Sequence, residues 1–492
     1  MKDTTLIEIL KTFNKEELKS LKKFFKSPFI RSRRNIGLLF DHLIQFYPEF
    51  NSPDLHREKV SEILFPDEVY NEKKIMNYVT DLSEACKDFL MHITLIKDEV
   101  ESELLTSKGL YEKRLLNQSV KILNKIDNNL VQGFSADKDY FSKSAKIQEF
   151  KNAYYTLNND HIRLRQIWDD FFEMSALKFL VDYTWMRCSN FTTSNTLYKK
   201  IPNNVIDSVS GCFDIDKMLD LADKLSEKFS QITVLHSMLL NTIKDPKNSE
   251  NYFVLKEYFL LNISSYDREE KFRILSHMIN FCGENIEYYG DDFTKEMLVL
   301  YKIMLKNNAY SLSGNEFLLV TDYRNIQSIT VLFRDTDFLE KMITDYSKLL
   351  RPENREFNVL LSNAYLYFLR NEFGKSLQMI AEIATEDFLF KIDIKKLKLM
   401  VCYELGYFEQ AFSVIDTYKH YITNSKDVTE PRKKSSIDFL NAFTPLLRIK
   451  TGRGEENIAE LNDRAGKLNV FLKDWFYNKI DELKKNTILL QQ

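Results

Sequence analysis

The stretch Gly374-Lys375-Ser376 ends in the way a phosphate-binding loop ends. Such a loop also needs a glycine five positions earlier, because its backbone amides must approach the phosphates closely. Leu369 occupies that position, and the stretch falls inside a predicted helical hairpin instead of following a strand. We therefore expect no nucleotide and no other cofactor here.

Residues that could hold a metal or move a proton are scattered along the chain. The seven histidines lie at least 14 residues apart, and no two of the five cysteines lie within 20 residues of each other. The acidic pairs Asp169-Asp170 and Asp291-Asp292 are direct neighbours, and neighbouring side chains on a helix point apart. The sequence therefore predicts no catalytic residue, no metal site and no enzyme activity.

The spacing of the cysteines and the hydropathy of the sequence indicate in which cellular compartment the protein is expected. Widely spaced cysteines without a pairing pattern favour a reducing environment. No window of the sequence approaches the roughly 18 consecutive apolar residues of a membrane span. The start, MKDTTLIEIL, carries mixed charge and is unlike a secretory signal. We expect a cytoplasmic protein without a membrane partner.

A basic cluster near the N-terminus is the main charge asymmetry of the sequence. Residues 1–40 contain ten Lys and Arg against four Asp and Glu, which gives a net charge of +6. The candidate phosphate contacts are Lys22, Lys23, Lys26, Arg31, Arg33 and Arg34. Short basic helices can bind DNA or RNA through the phosphates, so a nucleic-acid-associated regulator is the alternative function. A solvated helix face explains the same residues without any ligand.

The elements that must position these residues are helices. Over 492 residues there are only 12 glycines and 9 prolines, too few for the many turns of a sheet protein. The 69 basic residues nearly balance the 72 acidic ones, so no affinity of the whole chain for polyanions follows. Asn14 with Glu17 predicts a helix start. Residues 158–160 predict a break, Gly283 a gap between helices, and 190–213 the longest loop.

The first part of the chain carries a recognisable pattern. Phe24-Phe25-Lys26-Ser27-Pro28-Phe29 is followed by a Leu-Phe-x-x-Leu stretch and later by Phe65-Pro66. This pattern resembles the opening of an uncharacterised family of bacterial helical proteins. The resemblance covers roughly the first 90 residues and transfers no function.

Phenylalanines recur at a fixed spacing in the C-terminal part. Phe338, Phe373 and Phe408 follow one another at steps of 35 residues. Around each of them lie an apolar helix, a short break, an aromatic residue and a second apolar helix. Since one such hairpin cannot bury both of its faces, at least three must stack.

Residues 357–383 and 392–418 resemble tetratricopeptide repeats. In that family small residues stand where the two helices of a hairpin cross, and large residues fill the groove to the next hairpin. The matching positions are Ala364, Tyr367, Phe373, Ser376, Ile380, Ala411 and the turn Leu405-Gly406-Tyr407-Phe408. Leu360 and Lys395 depart from the family pattern, because they stand where it has tryptophan.

These patterns predict an all-α protein. The expected architecture is an array of helical hairpins, an α-solenoid of tetratricopeptide-like type, with an N-terminal helical domain. The expected domains are 1–95 with the basic patch, 96–315 with helical hairpins, and 316–492 with the repeats. A further helix at about 467–485 would cap the end of the array.

The resemblance implies a partner-binding face on the first helix of each hairpin. The family register puts five residues near this concave face: Arg334, Asn358, Tyr365, Lys396 and Tyr403. The family's best-known peptide mode grips a terminal carboxylate with a Lys/Asn/Arg clamp, and the corresponding positions here are Ile326, Thr330, Ser362, Asp393 and Leu397. The clamp is therefore absent, and simple groove packing also explains the two tyrosines. We expect a non-enzymatic scaffold that binds a protein or peptide partner, and the sequence leaves the oligomeric state open.

Overall fold

The computed structural model of this chain describes residues 4–30, 34–132, 138–196, 205–225, 229–312, 317–383, 388–425, 430–453 and 457–489. Within these ranges every regular element is a helix and none is a strand, which confirms the all-α prediction. None of the described helices is both long and apolar enough to cross a membrane. The chain divides into two compact units, Met1–Phe134 with Asp139–Ala176 and Ser135–Lys138 with Leu177–Gln492.

Within its described residues, the first unit contains eight α-helices and the beginning of a ninth. They are α1 (Thr5–Thr12), α2 (Lys15–Phe24), α3 (Gly37–Leu43), α4 (Arg57–Leu64), α5 (Glu72–Lys97), α6 (Glu99–Glu112), α7 (Leu116–Gln132), α8 (Lys138–Leu157) and α9 (His161–Thr196). The predicted start of α2 is confirmed, because the Asn14 side chain accepts from the Glu17 amide and the Glu17 carboxylate accepts from the Asn14 amide. The predicted break is also confirmed, since Asn159 lies between α8 and α9 with φ +53°.

The second unit contains the rest of α9 and fifteen further α-helices within the described ranges. They are α10 (Val205–Ser210), α11 (Ile215–Leu225), α12 (Ser230–Lys244), α13 (Ser249–Leu261), α14 (Arg268–Tyr289), α15 (Asp291–Lys306), α16 (Val320–Leu332), α17 (Thr336–Thr344), α18 (Pro352–Leu369), α19 (Phe373–Glu382), α20 (Phe388–Glu404), α21 (Phe408–Asn424), α22 (Glu430–Thr451), α23 (Ile458–Gly466) and α24 (Val470–Leu489). From α11 onwards, each helix packs against the next one along the chain.

Two sequence-based boundaries are wrong. The predicted loop 190–213 contains helix in its described part, because α9 continues to Thr196 and α10 spans Val205–Ser210. Gly283 does not separate two helices but lies inside α14, where buried neighbours such as Phe281 and Cys282 offset the cost of a helical glycine.

Residues from α16 to α23 form four successive helix pairs, α16–α17, α18–α19, α20–α21 and α22–α23. We call α16, α18, α20 and α22 the first helices. Each first helix is followed by a residue in the left-handed region: Arg334 (φ +54°), Asn371 (+60°), Gly406 (+73°) and Gly452 (+66°). The next amide donates to the carbonyl five residues back in all four turns, at 2.8–3.1 Å, which satisfies a carbonyl at the helix end.

Two glycines in adjacent helix pairs test this turn. An added Cβ would meet no atom within 4 Å at Gly406 or at Gly374, but only Gly406 has a positive φ. We expect Gly406→Ala to lower the free energy of unfolding by about 1–2 kcal/mol through backbone strain. Gly374→Ala, in the first turn of α19, should raise it by about 0.5 kcal/mol. Urea unfolding followed by circular dichroism measures both, and effects of the same sign would contradict the account.

Candidate partner-binding face

The first helices are held side by side by polar contacts as well as by apolar packing. Gln327 of α16 donates to the Ser362 hydroxyl of α18 at 2.7 Å. The Arg324 guanidinium of α16 reaches past α18 to the Asp393 carboxylate of α20, with nitrogen–oxygen distances of 2.5 and 3.0 Å. This ion pair joins the two helices that flank α18. We call the side on which it lies the first-helix face.

Two of the five predicted partner-binding residues meet in one small cavity on this face. Tyr365 and Lys396 line a space of about 130 Å³ together with Asp393 and the exposed Ser328. Burial lowers the pKa of Lys396, while the Asp393 carboxylate opposes that shift. Burial also raises the pKa of Tyr365, and the charge of Asp393 adds to it. The cavity therefore contains an amine and a phenol in the electrostatic field of one carboxylate, which itself pairs with Arg324.

The other three predicted residues lie elsewhere. Asn358 is fully buried, and its amide donates to the Asn354 carbonyl within the same helix at 2.7 Å. Tyr403 is 4 % exposed and lies under α24, with its ring 5.5 Å from that of Trp475. Arg334 is exposed in the turn after α16 and lies 5.9 Å from the ring of Phe471. The structure thus brings Arg334 and Tyr403 against α24, and it places Asn358 in the core.

Helix α24 lies across the first-helix face. Its Phe471 ring contacts Phe368 of α18 at 6.1 Å between centroids. Its Trp475 ring contacts Tyr403 of α20 and stacks at 6.1 Å on Phe443 of α22. The helix also packs against α16. The predicted C-terminal helix therefore covers the face of all four first helices instead of only closing the end of the stack.

One carboxylate fixes α24 in place. Glu404, the last residue of α20, accepts from the Trp475 indole at 2.6 Å and from the Lys479 ammonium at 2.8 Å. The Lys479 and Glu404 side chains are only 13 % and 10 % exposed. Burial lowers the pKa of Lys479, but the hydrogen bonds and charges of Glu404 and Glu482 outweigh burial and raise it. Lys479 is therefore a charged partner of Glu404 in a largely buried ion pair.

A polar cleft of about 430 Å³ lies beside α24. Its walls come from the turns after α16 and α18, from the end of α20 and from α24 itself. Its lining includes Arg334, Asn371, Glu404, Asn478 and Lys485. The helix thus leaves part of the first-helix face open to solvent, and this open part carries both signs of charge.

A second cavity of the unit, about 300 Å³ in volume, contains a buried histidine. It is lined by Trp185, Arg273 and His277 among others. Burial lowers the pKa of His277 to about 4, and Thr242 lies 2.7 Å from its Nε2 atom. His277 is therefore a neutral core residue at pH 7. Across the described part of the chain, no three His, Cys, Asp or Glu residues are grouped so that they could hold a metal ion.

The basic N-terminal residues are only partly described. Arg31 and Arg33 lie outside the described residues. Lys22 pairs with Asp41 at 2.7 Å, and Arg34 pairs with Asp81 at 2.6 Å. Lys23 and Lys26 are exposed on or just after α2. Acidic neighbours thus offset two of the six candidate phosphate contacts.

The candidate site residues that sequence reasoning missed are Glu404 and Lys479, which pair with each other and line the open cleft. The apolar pattern of α24 was visible, but the two charged partners lie 75 residues apart and belong to no local motif. No protein-family model, no curated protein and no solved structure matches the chain.

Removing the Glu404 carboxylate tests whether it holds α24. We expect Glu404→Ala to lower the free energy of unfolding by about 2 kcal/mol, because it leaves the buried Trp475 donor without its acceptor and leaves Lys479 with the more exposed Glu482 carboxylate alone. The matched control is Asp481→Ala, which breaks the exposed pair with Lys484 and should change stability by less than about 0.5 kcal/mol. Urea unfolding of the two variants provides the measurement, and equal effects would show that Glu404 is not the anchor.

Proposed function

We propose that this chain is a non-enzymatic scaffold of tetratricopeptide-like helical repeats, which binds a protein or peptide partner on the first-helix face. One observation carries the proposal: this face accommodates an amphipathic helix, α24, by taking its aromatic side chains between successive first helices. A surface that binds one helix in this manner has the chemistry of a helix-in-groove recognition site.

The repeat character is supported by the hairpins themselves. Ala364, Ser376 and Ala411, the small residues of the family pattern, are all fully buried. The Ser376 hydroxyl donates to the Ala364 carbonyl at 2.8 Å, so α18 and α19 approach closely where they cross. Together with the four similar turns, these contacts support hairpins of one design, repeated along residues 320–466.

A surface substitution inside the groove tests the scaffold function. Ser328→Trp would fill the mouth of the cavity beside Tyr365 and Lys396, whereas Gln378→Trp adds the same bulk at an exposed position of α19. We expect the wild-type chain and Gln378→Trp to capture the same stoichiometric protein from native lysate. Ser328→Trp should capture at least tenfold less of it, because the added ring blocks the groove.

The readout of this experiment is quantitative mass spectrometry of the captured proteins. Equal capture by the two tryptophan variants would contradict binding at the first-helix face. A fourth sample, Trp475→Ala, lacks the indole that donates to Glu404 and so holds α24 more weakly on the face. Absence of any stoichiometric protein from all four samples, under conditions that preserve weak complexes, would contradict the scaffold function itself.

The alternative function, a nucleic-acid-associated regulator, and the scaffold function predict different effects of charge reversal in the basic N-terminal region. If Arg31, Arg33 and Arg34 contact phosphates, reversing their charge should weaken binding to random duplex and flatten its salt dependence. Under the scaffold proposal we expect weak duplex binding that the triple variant leaves unchanged within twofold. Fluorescence anisotropy at 50 and 200 mM salt, with Lys295→Glu on the second unit as the control, distinguishes the two outcomes.

A further inference from the structure

We infer that α24 is an exchangeable occupant of the first-helix face, and that the partner is an amphipathic helix that repeats its chemistry: an aromatic residue, a tryptophan four residues later and a lysine or arginine four residues after that. This inference rests on the proposed function, because it names the partner of the same face. It also adds a regulatory device, since the chain then blocks its own binding site.

The recognition elements of α24 form one row. Phe471, Trp475 and Lys479 are spaced by four residues, so they lie on the same side of the helix. Phe471 contacts the end of α18, and the other two meet the end of α20. A helix that presents this row in the same order would make all of these contacts.

The Glu404 carboxylate requires particular hydrogen-bond donors on the helix that binds to the face, in addition to a fitting shape. Its two carboxylate oxygens take two different donors, an indole N–H and an ammonium, from adjacent turns of one helix. A helix that lacked either donor would leave a buried acceptor or charge without a partner, which is costly. Partners without the tryptophan and the basic residue are therefore rejected.

The packing around the first turn of α24 favours exchange. Phe471 lines both the cleft of about 430 Å³ and the cavity of about 130 Å³, so open space lies on two sides of this ring. Well-packed interiors contain few voids larger than a water molecule. The beginning of α24 is thus less tightly held than the aromatic cluster around Phe476, which is fully buried against α22.

Competition within the chain sets the affinity of a partner. A tethered helix acts at an effective concentration in the millimolar range when its linker is short, so a free helix binds weakly until α24 is released. Any change that weakens the α24 row should raise the apparent affinity for a second helix. Any change at Glu404 should weaken both the binding of α24 to the face and the binding of a second helix.

The probe for this test is a fluorescent peptide of residues 467–489, titrated with the full chain. We expect Trp475→Ala in the chain to bind the peptide at least tenfold more tightly than the wild type, because its own helix no longer competes. The matched control is Asp474→Ala, an exposed position on the same helix, which should change the affinity by less than twofold. Adding Glu404→Ala to Trp475→Ala should abolish the gain.

Two further measurements keep the test decisive. Circular dichroism verifies that each variant is folded, and Lys479→Ala replaces Trp475→Ala if the latter does not fold, with an expected gain of at least threefold. A peptide that carries Trp475→Ala and Lys479→Glu should not bind. Equal binding, or no binding, of the unmodified peptide by folded wild type and folded variant would overturn the inference, since α24 would then be a permanent cap.

The outcomes of this test and of the capture experiment are separable. Peptide exchange without any captured protein would support the exchangeable helix and contradict the scaffold function. Capture that depends on Ser328 without peptide exchange would support the scaffold function and overturn the role of α24. The two claims therefore fail independently.

Discussion

The structure of residues 320–489 depends on one constraint: a helical hairpin cannot bury both of its faces by itself. Neighbouring hairpins cover each other along the stack, but the first-helix face stays open on one side. Without a further element on this face, aromatic residues such as Phe368 and Tyr403 would be exposed to solvent. Helix α24 resolves this by lying across the face, and it turns the remaining surface into a cleft with defined walls.

The way in which α24 is held has a consequence for specificity. Apolar packing alone would accept many helices of similar width, because the hydrophobic effect is not directional. A buried carboxylate is more selective, since each of its oxygens needs a donor in the right place. Glu404 therefore fixes the position and direction of the helix that lies on the face, while Phe471 and Trp475 supply contact area.

The sequence predicts those features of the fold that follow from local rules. Scarce glycine and proline indicate an all-α protein, and the polar step at Asn159 indicates the helix break that the structure contains. The gap predicted at Gly283 is absent, because a glycine inside a helix costs only about 1 kcal/mol of stability and the packing of α14 offsets this cost. Two features depend on tertiary packing between distant segments: the burial of Asn358 and the ion pair between Glu404 and Lys479. The spacing of apolar residues along the sequence predicts neither of them.

The most direct test of the central claim, an exchangeable helix on the first-helix face, is native-state amide hydrogen exchange measured by mass spectrometry. The account predicts that the segment Phe471–Ile480 of α24 opens separately, so its amides should exchange at least tenfold faster than those in the middle of α20, and Glu404→Ala should widen this difference. If the two segments exchange at the same rate and lose protection in a single cooperative step, α24 is a fixed part of the core and the account is wrong.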